Sequence, residues 1–216
     1  MKLSNKTLEI LKSFNSINQS ILFKAGSTIS TIDRDHTILA MAKVEETIPR
    51  EFAIYELSKF IGALSIMPDG EIELGDNQLT IRTKNSKIKY TYAEPSMIKS
   101  SPYKELPLDN VIANFNLDYN SLSNVIKAAN ILELPDISIG SSEDSDDVLI
   151  YASNDKDSTT DSYQIKVGES SNKFKISFKV ENMKLLNREY SVSIPDGPFV
   201  RFTSPDITYW VAAKAA

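Results

Sequence analysis

The chain contains no cysteine, one histidine, one tryptophan and only seven glycines in 216 residues. Without cysteine there can be no disulfide, cysteine-ligated zinc, iron–sulfur cluster or thiol nucleophile, which suits a reducing compartment. The few glycines never fall in the spacing of a dinucleotide fold or a P-loop, so a backbone cradle for phosphate is missing and nucleotide hydrolysis is not expected. His36 stands in the run Asp33-Arg34-Asp35-His36 without a serine elbow or a second histidine. That run reads as a turn, and no enzyme activity is expected. The acidic cluster Glu143, Asp144, Asp146 and Asp147 lacks the central glycine and terminal glutamate of a calcium loop. It reads as a solvated loop, with no metal and no cofactor. No apolar run approaches the ~18 residues of a membrane span, and Lys6, Glu9 and Lys12 interrupt the first helix where a secretory segment would need to be apolar. The expectation is a cytoplasmic protein that is not secreted and has no membrane partner.

A hydrophobic fraction of 41% and a charged fraction of 25% lie close to globular values, so a folded chain is expected. The net charge of −5 argues against a protein that grips phosphate with its whole surface. Residues 2–18, however, carry Lys2, Lys6 and Lys12 against Glu9 alone. Basic charge is therefore concentrated on one amphipathic segment.

Residues 4–18 place Ile10, Leu11, Phe14 and Ile17 on one helical face, with Ser4 as N-cap. A second helix over 56–66 buries Leu57, Phe60, Ile61 and Leu64. A third over 119–131 buries Leu122, Val125, Ile126 and Ala129 behind Asp118 or Asn120. A short fourth is predicted over 181–188, with Met183 and Leu186 inside and Lys184 and Arg188 outside. Between the helices the period becomes two, as in Leu79–Ile81, Ile88–Tyr92 and Tyr190–Ile194. Turns fall at Pro68-Asp69-Gly70, Gly75-Asp76-Asn77 and Pro195-Asp196-Gly197. Tyr90, Tyr92, Tyr209 and Trp210 could stack on bases, but alternation favours core or sheet-edge packing for most of them.

Length alone allows one large domain or two of roughly 100 residues. Ile10-Leu11-Lys12 with Asn15 reappears as Val125-Ile126-Lys127 with Asn130, and Phe52-Ala53-Ile54 before a helix is echoed by Phe178-Lys179-Val180. An α+β unit present twice accounts for these echoes; chance matching over such short stretches is the competing explanation. Residues 94–116, with Pro95, Pro102 and Pro107, show no clear period and read as a connector between domains at 1–93 and 117–216. Residues 141–162 read as one strand, Val148–Tyr151, between polar loops.

Several segments carry a resemblance. Met1-Lys2-Leu3-Ser4, the helix stretch Leu11-Lys12-x-Phe14 and Ile17-Asn18 resemble the N-terminus of the trimeric DNA polymerase sliding clamp of large tailed bacteriophages. Ile32-Asp-Arg-Asp-His36-Thr37, Gly197-Pro198-Phe199-Val200 and Tyr209-Trp210-Val-Ala212-Ala-Lys214 are similar to segments of proliferating cell nuclear antigen. The matches span nearly the whole chain in the family's order.

The resemblance implies the sliding-clamp fold: two similar domains, each with two inner helices backed by antiparallel sheet, and three subunits closing a ring around duplex DNA. The clamp would tether the replicative DNA polymerase as a processivity factor, loaded by an ATP-dependent clamp loader in the cytoplasm of the bacterial host. Whether it also serves as a transcription coactivator stays open. Lys12, Lys59 and Lys127 match inner-helix positions of the family. Lys2, Lys6, Lys184 and Arg188 join them by helix-face arithmetic, and a solvated surface cation is the competing reading of each. Gly62 departs from the eukaryotic pattern, which has lysine there. The family pattern also implies subunit-interface edges at Lys87, Ile88, Tyr90 and Tyr92 and at Tyr163, Ile165 and Val167. A pocket for partner peptides is implied at Ile32, His36, Thr37, Leu106, Leu108, Pro198, Trp210 and Ala212, with ordinary sheet core as the other reading of Trp210. A β-rich viral structural or assembly protein, with no DNA in its ring, is the principal alternative.

Overall fold

The computed structural model describes residues 1–103, 105–157 and 159–214. The chain forms two compact units, Met1–Lys104 and Glu105–Ala216. The segment 94–116 divides between them, with a 3₁₀ turn at Pro95–Met97 in the first and an unforeseen strand, Val111–Leu117, in the second.

The first unit opens with α1 (Asn5–Ile17), followed by β1 (Ile21–Phe23), β2 (Gly26–Ile32), β3 (Ile38–Ile48), β4 (Phe52–Ile54) and α2 (Leu57–Ile66). It closes with a meander of β5 (Glu71–Leu74), β6 (Gln78–Arg82) and β7 (Lys87–Thr91). Helix α1 begins where expected, Ser4 accepting from the Thr7 N–H, and it buries Ile10, Leu11, Phe14 and Ile17 against α2, β2 and β3. Strands β1 and β4 pair antiparallel, as do β2 and β3. Phe23 stacks on Phe52 with ring centres 4.5 Å apart and meets Phe60 of α2 edge-on at 6.2 Å. This aromatic group locks α2 onto the ribbon below it. Gly26 has φ +119° at a register shift in β2, a conformation that residues with a Cβ rarely adopt.

The second unit repeats the order. After β8 (Val111–Leu117) come α3 (Tyr119–Ile131), β9 (Asp136–Ser141), β10 (Asp147–Ser153), β11 (Tyr163–Glu169) and β12 (Lys175–Lys179). A 3₁₀ turn (Val180–Asn182) and strands β13 (Tyr190–Pro195), β14 (Phe199–Ser204) and β15 (Ile207–Ala212) complete it. Strands β11-β10-β9-β12 form one antiparallel sheet, and β8-β13-β14-β15 pair in that order. Helix α3 packs on β9, β10 and β11. Each unit thus runs helix, four strands, helical turn or helix, three strands. Helices α1 and α3 are both 13 residues long. Ile10 and Phe14 are buried in one, and their counterparts Val125 and Ala129 in the other.

The expected fourth helix over 181–188 is a correction: only Val180–Asn182 is helical, as a 3₁₀ turn. Met183 is buried as anticipated, but Leu185 rather than Leu186 is its buried companion. The backbone of Leu186 is taken up by two tyrosines: its N–H donates to the Tyr209 hydroxyl at 3.3 Å, and its carbonyl accepts from the Tyr190 hydroxyl at 2.6 Å. Those side chains satisfy groups that a helix would otherwise satisfy within itself. Gly168 of β11 sits where a Cβ would come within 2.7 Å of Phe115, so glycine there lets β11 approach β8.

Candidate nucleic-acid and partner surfaces

Helices α1 and α3 each bury one stripe and expose the opposite one. On α1 the exposed stripe runs through Asn5, Glu9, Lys12 and Ser16; on α3 it runs through Asn120, Asn124, Lys127 and Ile131. The two stripes correspond position by position at a constant offset, so Lys12 and Lys127 occupy the same turn of equivalent helices. Lys6 is exposed beside the first stripe. Lys2 precedes α1 and pairs with Asp69 at 2.8 Å, a contact between two exposed groups that screening keeps weak. Lys59, in the first turn of α2, donates to Glu56 at 2.6 Å. That hydrogen bond, with the charge of Glu56 behind it, raises the lysine pKa and keeps the ammonium charged. Gly62 is exposed on the same helix with open space around it.

The additions from helix-face arithmetic fare differently where the helix is absent. Lys184 is exposed on irregular chain. Arg188 is a correction: its guanidinium is paired with Asp206, with side chains only 19% and 9% exposed. Its charge is neutralised by a carboxylate 18 residues along the chain, which no local periodicity could reveal.

Strand β7 ends the sheet β5-β6-β7, and β11 ends the sheet β11-β10-β9-β12. On β7 Ile88 and Tyr90, and Tyr92 just beyond its end, are half-buried and alternate with exposed Lys87, Lys89 and Thr91; on β11 Tyr163, Ile165 and Val167 alternate with exposed Gln164 and Lys166. The hydroxyl of Tyr90 donates to the Glu56 carbonyl at 3.0 Å, and its ring meets Phe60 at 5.6 Å.

The residues expected to hold a partner peptide fall in two places. In the first unit, Ile32 is buried and Thr37 donates to Asp33 at 2.7 Å. The other carboxylate oxygen of Asp33 accepts from the Ile38 N–H at 2.7 Å, so one aspartate ties the tip of the β2–β3 hairpin. His36 is exposed there with φ +59°, the left-handed position of that turn. In the second unit, Leu106, Leu108, Pro198 and Trp210 line one groove of about 310 Å³. Pro107, Asp109, Pro195, Asp196, Gly197 and Phe199 complete its walls. Ala212 lies further along β15, paired with Phe199. Trp210 is 3% exposed, so it is sheet core and groove lining together.

Among the described residues no group of histidines and carboxylates could hold a metal ion, and no helix is long and apolar enough to cross a membrane.

Repeated helix-and-sheet units of this order define the DNA-clamp fold. The structure aligns with proliferating cell nuclear antigen from Entamoeba histolytica at TM-score 0.71, 14% identical, over 97% of this chain and 95% of that one. It aligns at 0.72 with that of A. fulgidus, solved with the C-terminal region of FEN-1 bound, 15% identical over 100% and 97%. At such identity the likeness concerns the fold. The sequence carries the family: residues 2–102 match the model of the DNA polymerase processivity factor, and residues 114–215 match that of the gp45 sliding clamp, C terminal. The sliding clamp of Vibrio phage KVP40 is 31% identical over 221 residues, covering both chains completely. That of Enterobacteria phage T4 is 29% identical over 199 residues, 89% of this chain and 86% of the relative. The chain belongs to the phage sliding-clamp family, the DNA polymerase processivity factors. Clamps of this family bind DNA and DNA polymerase and catalyse nothing themselves. Membership removes the reading as a viral structural protein.

Proposed function

We propose that three copies of this chain close head-to-tail into a ring, loaded onto DNA by an ATP-dependent clamp loader in the cytoplasm of the bacterial host. Its clamp domains correspond to the two units, Met1–Lys104 and Glu105–Ala216, with β8 a strand of the second domain and not part of a connector. The observation that carries the reading is the repeated unit whose helices α1 and α3 expose Lys12 and Lys127 at the same turn. In the ring these lysines, with Lys2, Lys6, Lys59 and Lys184, face the phosphates. The chain's net charge is −5 even with these lysines counted, so the remaining surface is more acidic still and discourages binding of DNA to the outside. Phosphate contacts hold without reading bases, so the ring can slide. The terminal strands β7 and β11 supply the subunit contacts: unpaired strand edges favour addition of a neighbouring strand, and one edge of each kind per subunit allows head-to-tail closure. The groove of Leu106, Leu108, Pro198 and Trp210 holds a short peptide of the polymerase or loader.

The test is topological. Native mass should be three times the 24.1 kDa of the chain. Loaded onto nicked circular DNA, the protein should survive gel filtration with the circle and be lost when the circle is linearised. Equal retention on both forms, or a monomeric mass at working concentration, overturns the ring.

A further inference from the structure

The groove of the second unit has features that a purely apolar pocket would not need. Its floor includes Trp210, the chain's single tryptophan, and the indole N–H is buried without a hydrogen-bond acceptor among the described residues. Nine-tenths of this side chain and more is inside, so the missing bond carries a desolvation cost that an incoming acceptor would remove. Along the rim stand Asp109 and Asp196, both exposed and with no cation in ion-pair distance among the described residues. Between floor and rim, Leu106, Leu108, Pro198 and Phe199 give the apolar walls.

An indole N–H accepts nothing and donates once, so it selects an oxygen. Two uncompensated carboxylates beside it select against an anionic neighbour, which leaves a backbone carbonyl as the matching acceptor and a lysine or arginine as the matching flank. Resting on the peptide-groove reading above, we propose that this groove selects a peptide combining three features. These are an apolar anchor between Leu106–Leu108 and Pro198–Phe199, a backbone carbonyl presented to Trp210 Nε1, and a cationic residue presented to Asp109 and Asp196. Trp210 is then a specificity-determining residue of the partner site. Because the nitrogen is covered, the contact requires a wall to shift. The stretch Leu106–Asp109, which belongs to no strand ladder, is the wall that can do so.

The probe is the C-terminal peptide of the cognate DNA polymerase, titrated into the full-length protein labelled with ¹⁵N at its one tryptophan. Binding should move the indole N–H resonance downfield and change the fluorescence excited at the red edge, where tryptophan absorbs and the nine tyrosines do not, so that both signals report Trp210. Trp210→Phe keeps a ring but removes the donor, and should weaken the peptide about tenfold, the scale of one buried hydrogen bond. Asp109→Asn with Asp196→Asn should weaken it and flatten its salt dependence. Both substituted positions are solvent-facing, so this variant stays informative if Trp210→Phe fails to fold, and the wild-type resonance needs no variant. Peptide binding that leaves the indole resonance in place and is equal in all three proteins overturns the selection rule while the groove reading stands. No binding to the wild-type protein overturns both.

Discussion

Glu46 is the residue through which a strand holds a helix. Helix α1 has Ser4 as N-cap, whose hydroxyl accepts from the Thr7 N–H at 3.2 Å. In the usual capping box the residue at Thr7's position would be a Glu reaching back to the cap N–H. Here that place is filled from β3: Glu46 accepts from the Ser4 N–H and, at 2.6 Å, from the Thr7 hydroxyl. Burial alone would push the Glu46 carboxyl upward, but the hydrogen bonds from Thr7 and Ser4 together hold it below the ordinary glutamate value. Glu46→Ala should cost about 1 kcal/mol in urea denaturation at pH 7, the scale of a lost cap. A depressed folded pKa means the contribution is complete above the unfolded value of about 4.3 and is lost as pH falls through the folded one. The gap between wild type and variant should therefore shrink on acidification below about pH 4.3. A gap that is constant with pH would remove the carboxylate from the cap. The equivalent helix α3 is capped locally, by Asp118 accepting from the Asn120 and Ser121 N–H groups, so the two copies of the unit solve the same problem differently.

Among the elements, those whose residues answer to their immediate neighbours were legible. Helices over 5–17, 57–66 and 119–131 fall within a residue of the periodicity, because each buries an apolar stripe, although Ile126 of α3, expected inside, is only half-buried and α2 starts after Glu56 without a side-chain cap. The segment after Val180 was not legible, because its backbone partners are tyrosine hydroxyls supplied by β13 and β15. Tyr190→Phe tests that account: it removes the bond to the Leu186 carbonyl and should destabilise the chain by about 1–2 kcal/mol in urea denaturation. An unchanged midpoint would show the loop to be held otherwise. Strand β8 was missed although Ala113, Phe115 and Leu117 alternate inward, since the prolines before it suggested a connector throughout. For the peptide groove, four of the lining residues were legible through the family resemblance, while Phe199 and the two aspartates emerge only when the β13–β14 turn faces Leu106–Asp109. The terminal strands carry a sharper test. Gln164→Pro should give monomers with an unchanged circular-dichroism spectrum, since alternation along β10 turns the backbone groups of Ile150 and its partner Ile165 toward each other and leaves the Gln164 N–H on the free edge. Tyr90→Pro is the less clean variant, because it also loses the bond to the Glu56 carbonyl and the contact with Phe60. A trimeric mass for Gln164→Pro would refute the edge assignment.

At the scale of the whole molecule, an acidic chain works on a polyanion by arrangement of charge. Twenty-four basic residues against twenty-nine acidic ones give no general attraction to DNA, so residence must come from topology, with a few lysines only tempering repulsion along the path. Those lysines need equivalent positions on equivalent helices if both units of the chain are to meet the phosphates alike, which Lys12 and Lys127 have. Counterion release then sets the direction of the test. Each lost lysine–phosphate contact lowers binding at low salt and also removes about one unit from the salt slope. Lys12→Glu with Lys127→Glu should thus keep the trimer mass, reduce processive synthesis most at low ionic strength, and show a shallower decline as salt rises, because added salt also screens the new repulsion. Asp146→Asn changes the net charge by one at an exposed loop position and should leave both the level and the slope as in wild type. Synthesis length on a primed circular template, measured across a salt series for the three proteins, decides the matter. If the double reversal and the loop variant give the same curve, the exposed stripes of α1 and α3 do not face the DNA, and the basic contacts have to be sought on another surface of the clamp.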